Sequence, residues 1–150
     1  MFRYGNPNIY CNMKTIYLQQ LKKEIRLHSS IIQDDSFSKE KWTKGNFKLC
    51  SKIIGQALLD QFTHDEMISY GTTISYKTIE NLFKNKYVLK NPMDPRSLCT
   101  LTKLVKFVGY NSWSDFTETV DLKKNEQIHL SMSDLTPKLT GSKTFTMLIL

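Results

Sequence analysis

Residues 74–116, ISYKTIENLFKNKYVLKNPMDPRSLCTLTKLVKFVGYNSWSDF, decide the fold of this 150-residue chain. They read as three short helices in succession, each with its own start or stop signal. Ser75 is placed to cap the first, whose apolar residues Ile79, Leu82 and Phe83 fall at helical spacing. A lysine-studded connection, 85–93, follows. Asp94-Pro95 then opens a second helix, with Asp94 as N-cap and Pro95 at the first helical position, where its missing N–H costs nothing. Leu98, Leu101, Leu104, Val105 and Val108 form a nearly complete apolar stripe along it. Gly109 suits the left-handed residue that ends such a helix, and Tyr110 can fold back on its last turn. Ser112 with Asp115 three residues later starts a third helix carrying Trp113 and Phe116. The local signals agree with one another, which is the mark of a sequence that specifies a fold.

Working outward, 40% hydrophobic and 11% aromatic residues suffice for one modest core, so the chain reads as one domain with appendages. Residues 1–12 carry Gly5, Asn6 and Pro7 as breakers and are expected to be irregular. Residues 14–28 predict a helix with Tyr17, Leu21, Ile25 and His28 along one side. That narrow seam suits another helix or a second chain, which makes Tyr17, Leu21 and Ile25 the candidate homodimer contact. Residues 29–44 are a polar connection in which Trp42 is expected at the edge of the main domain. Residues 46–62 form the longest helix, with Leu49, Ile53, Ile54, Ala57, Leu58 and Phe62 as its apolar face. Residues 64–73 fit either one helical turn or a loop. From 121 the composition shifts to Ser, Thr, Lys and Gly with a lone Pro137, a flexible tail or truncated linker. The organisation is an N-terminal segment with one helix (1–41), an all-α, helix-turn-helix-like bundle of four to five short helices (42–120), and a tail (121–150).

The formal net charge is +7 and the pI about 9.3, which favours anionic partners, nucleic acid ahead of acidic membrane. The charge is polarised. Between residues 73 and 110, Lys77, Lys84, Lys86, Lys90, Arg96, Lys103 and Lys106 face only Glu80 and Asp94, seven cations to two carboxylates, net +5. Cys11, Cys50 and Cys99 form no CxxC pair, so neither a disulfide framework nor a zinc knuckle is indicated. No signal-peptide core is seen, and the apolar run 147–150 is too short to span a bilayer. A cytoplasmic protein without membrane association is expected.

No catalytic constellation is present. His28, His64 and His129 lie far apart and none sits in a metal-binding spacing, and the six glycines form no phosphate-binding loop. His64 with Asp60 and Asp65 reads as a solvated helix end. The expectation is a non-enzymatic chain without cofactor or metal.

A binding surface is the better candidate. With Ile79, Leu82 and Phe83 turned inward, the first helix leaves Tyr76, Lys77, Glu80, Asn81 and Lys84 outside. Asn can pair bidentately with adenine, Lys can reach guanine, and a helix N-terminus favours phosphate. Lys86, Lys90 and Arg96 in the following connection can grip the backbone of double-stranded DNA and set the register. Glu80 puts a negative charge in the middle of that surface. A merely solvated helix face explains the same residues.

The order of these motifs, Ile74-Ser75-x-x-Thr78-Ile79-x-x-Leu82-Phe83, a basic loop, then Val108-Gly109-Tyr110-x-Ser112-Trp113-x-x-Phe116, resembles a small helical module of bacterial proteins written IS-x-x-TL…LGY-x-SW-x-x-F. That module is similar to helix-turn-helix domains of the Xre/Cro-repressor type. The resemblance covers roughly 46–120 and implies that the helix beginning near Ser75 is a recognition helix. Ser75 and Thr78 match its start, Leu82 and Phe83 its packing positions, and Gly109, Trp113 and Phe116 the closing turn and helix. Asn81 stands where the pattern has arginine, and Lys84 where it has glycine. The implied function is a DNA-binding, transcription-factor-like regulatory module, working as a dimer on two half-sites. The alternative is a protein-interaction adaptor using the same helices.

Overall fold

A computed structural model describes the backbone of residues 7–89 and 93–140, with side chains from 15 to 89 and from 93 to 127. Among these the only regular structure is helix: α1 (Pro7–Leu27), α2 (Ser29–Ile32), α3 (Lys44–Gln61), α4 (His64–Tyr70), α5 (Tyr76–Phe83), α6 (Pro95–Phe107) and α7 (Trp113–Thr140), with a 3-10 turn at Asp35–Phe37. The chain divides into two units, Met1–Phe116 and Thr117–Leu150. The all-α expectation holds.

The helix limits follow from local hydrogen bonds. Asp94 Oδ1 accepts from the Ser97 N–H at 2.6 Å and Pro95 opens α6. At its other end Gly109 takes φ +107°, Gly109 N–H donates to the Lys106 carbonyl at 3.1 Å, and Tyr110 N–H reaches Val105 at 2.9 Å. This is the Schellman closure predicted from the sequence. The same closure ends α5, with Asn85 at φ +62° in place of glycine: Lys86 N–H donates to Asn81 at 2.7 Å and Asn85 N–H to Leu82 at 3.3 Å. Ser75 and Ser112 cap as expected, accepting from Lys77 N–H and Asp115 N–H, each at 3.1 Å. Two capping boxes add starts the hydrophobic pattern did not give. Thr43 with Asn46 begins α3, and Thr63 with Glu66 begins α4. The second makes residues 64–70 a helix rather than a loop.

The first unit is built around α3, which packs against both α5 and α6. Its inward line is Phe47, Cys50, Ile54 and Leu58, with Phe62 buried just beyond; Leu49, Ile53 and Ala57, expected in that face, are only half-buried. On α6, Leu101, Leu104 and Val105 are buried as expected, Phe107 joins them, and Leu98 turns outward. Trp42 is not at an edge. It is buried, stacked on Phe83 at 4.6 Å and tilted against Phe37 at 4.8 Å, with the Arg26 guanidinium 4.8 Å above its ring. Its Nε1–H finds no acceptor among the described residues.

The N-terminal helix differs most from expectation. It begins at Pro7, inside a stretch read as irregular, and Leu21 and Ile25 have no exposed surface at all. They pack within their own chain, where α1 meets α2, α5 and α6, and Tyr17 meets Trp113 edge-on at 6.1 Å. Leu21 and Ile25 therefore have nothing to offer a second copy, and the seam read as a homodimer contact is an internal one. The seam is narrow because polar contacts flank it. Lys22 Nζ donates to the Phe83 carbonyl at 3.2 Å and to Asn85 Oδ1 at 2.8 Å, and the Tyr110 hydroxyl donates to Glu24 at 2.9 Å.

In the second unit, residues 117–140 continue as the helix of α7 where a flexible tail was expected from 121, and side chains 121–127 are all exposed. The expectation for 141–150 lies outside the described residues.

Two groups tie this packing to pH. His28, stacked on Phe107 at 4.1 Å, is held below its ordinary value of 6.5 by burial, against a raising bond to the Phe107 backbone. Burial and the hydrogen bond to Glu24 push the Tyr110 phenol from 10.0 to about 12. A depressed histidine contributes stability above 6.5 that is lost as pH falls through its folded value. A raised phenol contributes stability below 10 that is lost as pH climbs toward 12. Urea midpoints are accordingly expected to be level from about pH 6.5 to 9 and to fall on both sides. Above that range the buried Cys50 thiol, raised from 9.0 to about 12, also withdraws stability, so part of the alkaline fall disappears in Tyr110→Phe.

Candidate nucleic-acid interface

The α5 surface is organised around Glu80. Lys77 Nζ lies 3.2 Å from one carboxylate oxygen and Lys84 Nζ 2.8 Å from the other, the i,i+3 and i,i+4 partners a helix provides. The Lys84 and Lys77 hydrogen bonds hold this carboxyl below its usual range. The two lysine side chains are 67% and 48% exposed and the glutamate 12%, so the cations cover the acid from outside. The negative charge that counted against an anionic partner is thus screened, and the two lysines bring a net +1 rather than +2.

Tyr76, at the first position of α5, is half-buried beneath two lysines of α3. Lys44 Nζ stands 5.8 Å and Lys48 Nζ 5.3 Å from its ring centre. Lys44, Lys48 and Lys52 recur every four residues and form one exposed row about 12 Å long. None of the three has a carboxylate partner among the described residues. The charge reading missed this row because it lies outside the lysine-rich segment. Its signal was the i,i+4,i+8 spacing opposite Phe47, Cys50 and Ile54.

The remaining predicted residues divide. Asn81 is half-buried on α5, with its carbonyl committed to the Schellman closure. Lys86 and Arg96 are exposed and have no acidic partner among the described residues. Lys90 lies outside them. Two cations counted in the polarised segment are not free surface charges. Lys103 is buried and donates to the Thr73 carbonyl at 2.7 Å, and Lys106 pairs with Glu66 at 2.7 Å.

α5 is held firmly. Its C-terminal end is clamped by Lys22 and by Gln19, which donates to Asn85 Oδ1 at 2.9 Å. Its N-terminal end is reached through an extended connection, residues 71–75, fixed on both sides: Ser51 Oγ donates to the Ile74 carbonyl and Lys103 Nζ to that of Thr73. Gly55 faces this connection on α3, where a Cβ would sit 3.4 Å from the Thr72 carbonyl oxygen, an ordinary contact. The C-terminal end of α5 is therefore covered by α1, while its first turn stands beside the α3 lysines.

Among the described residues no group of three or more His, Cys, Asp or Glu side chains is arranged to hold a metal ion. Burial pushes the Cys50 thiol up to about 12, so it is an inert core residue. No described helix is long and apolar enough to cross a membrane. No protein-family model matches the chain, and neither a curated protein nor a solved structure matches it significantly.

Proposed function

We propose that this chain is a non-enzymatic, DNA-binding regulatory module of the bacterial cytoplasm, with the first turn of α5 directed at the duplex. The observation that carries the reading is the junction at Tyr76, where the unpaired α3 lysines meet the N-terminus of α5. A helix N-terminus favours phosphate, and unpaired lysines add the sequence-independent attraction that dominates DNA affinity. Tyr76, Lys77 and Asn81 are the groups for base edges. Lys44, Lys48, Lys84, Lys86 and Arg96 are the groups for phosphates.

The test exploits Glu80. Glu80→Gln removes the only carboxylate of α5 and frees Lys77 and Lys84 for phosphate. Anisotropy titration of the full chain against a labelled random duplex at 0.1 M salt should give tighter binding for the variant, up to about tenfold if one further phosphate contact forms. Weaker or unchanged binding would count against α5 as the facing surface.

A second reading, a protein-interaction adaptor, is favoured by a different observation. A groove of about 470 Å³ runs between α4, α6 and the start of α7, edged by Tyr70 and Leu98, 37% and 45% exposed, with Ile68 72% exposed on α4. Partner binding there would be indifferent to Glu80→Gln and sensitive to Leu98→Asp.

A further inference from the structure

Beside Tyr76 the lysine row borders a second, separate concavity. Between α3 and the 71–75 connection lies a pocket of about 340 Å³, lined by Lys48, Ser51, Lys52, Gly55, Thr72 and Thr73 among others, with no carboxylate in its wall. The carbonyls of Thr73 and Ile74 are tied to Lys103 and Ser51. By contrast, the N–H groups and hydroxyls of Thr72 and Thr73 make no hydrogen bond within the described residues.

We infer that this pocket is a seat for one phosphate group, held by Lys48 and Lys52 with the free N–H and hydroxyl donors of Thr72 and Thr73. Two ammonium groups beside unsatisfied backbone and hydroxyl donors, without a competing acid, make a site whose chemistry selects a compact oxyanion. The source we assign is a backbone phosphate of nucleic acid, because the same Lys48 also stands over Tyr76 at the start of α5. A strand held there would pass from the seat to the first turn of α5. The assignment of the source rests on the DNA-binding reading; the seat itself does not.

The experiment is a pair of amide NMR titrations of the full chain, one with pyrophosphate and one with a short duplex. The double variant Lys48→Gln/Lys52→Gln, altering two exposed side chains, serves as control. Saturable movement of the Thr72, Thr73 and Lys52 amides with both probes supports the proposal, as does loss of the pyrophosphate response in the variant. The variant should also flatten the slope of log K against log salt for duplex by about 2, the worth of two phosphate contacts. Saturation with pyrophosphate while duplex leaves these amides unmoved would overturn the nucleic-acid source and leave a free phosphate or nucleotide. Duplex binding with an unchanged slope in the variant, and no saturable pyrophosphate response, would overturn the seat and leave the DNA-binding reading standing.

Discussion

Leu21→Ala is expected to lower the unfolding free energy by about 2–5 kcal/mol, the range for emptying a fully buried leucine site that relaxes only in part. Leu21 has no exposed surface and sits where α1 crosses the helices that form the binding surface. Lys22 beside it and Gln19 clamp the end of α5. The loss should therefore appear as a lower urea midpoint with unchanged slope, and the midpoint should not depend on protein concentration. A midpoint rising with concentration in the unsubstituted chain would point to a seam between subunits instead.

The second large effect is on binding. Lys44→Glu/Lys48→Glu should weaken duplex binding by at least about 60-fold at 0.1 M salt. Each lost phosphate contact removes about 0.9 from the log–log slope, or about eightfold between 1 M and 0.1 M, and two multiply. Reversal adds repulsion, so this is a floor. Stability should hardly move, since both side chains are exposed and neither has a carboxylate partner among the described residues. Anisotropy titration with a urea midpoint on the same sample separates the two. The adaptor reading expects partner binding to survive this variant.

How much of this was legible depended on the range of the interaction. Caps and closures are local, so Ser75, Asp94-Pro95, Gly109-Tyr110 and Ser112 could be read directly, and the structure forms each of them. The Thr63–Glu66 box was equally local but was masked by a weak apolar pattern in residues 64–70. Burial was legible on α6 and less so on α3, where aromatic contacts of Phe47 with Trp42 and Phe83 draw the inward line toward Phe47 and Cys50. Charge was least legible, because counting lysines cannot tell which are spent. Lys103 is consumed by a carbonyl and Lys106 by Glu66, partners 30 and 40 residues away. Lys77 and Lys84 share Glu80, whereas the free row on α3 drew no notice from a segment-by-segment charge count. The α1 seam shows the same limit, since an apolar stripe specifies burial without specifying which surface provides it.

The most direct test of the central claim is the salt dependence of duplex binding by the full chain. With four or five unpaired cations engaged, log K should fall against log salt with a slope of about −3.6 to −4.5, from micromolar or tighter binding at low salt. Absence of binding at 50 mM salt, or binding with a slope near zero, would contradict it.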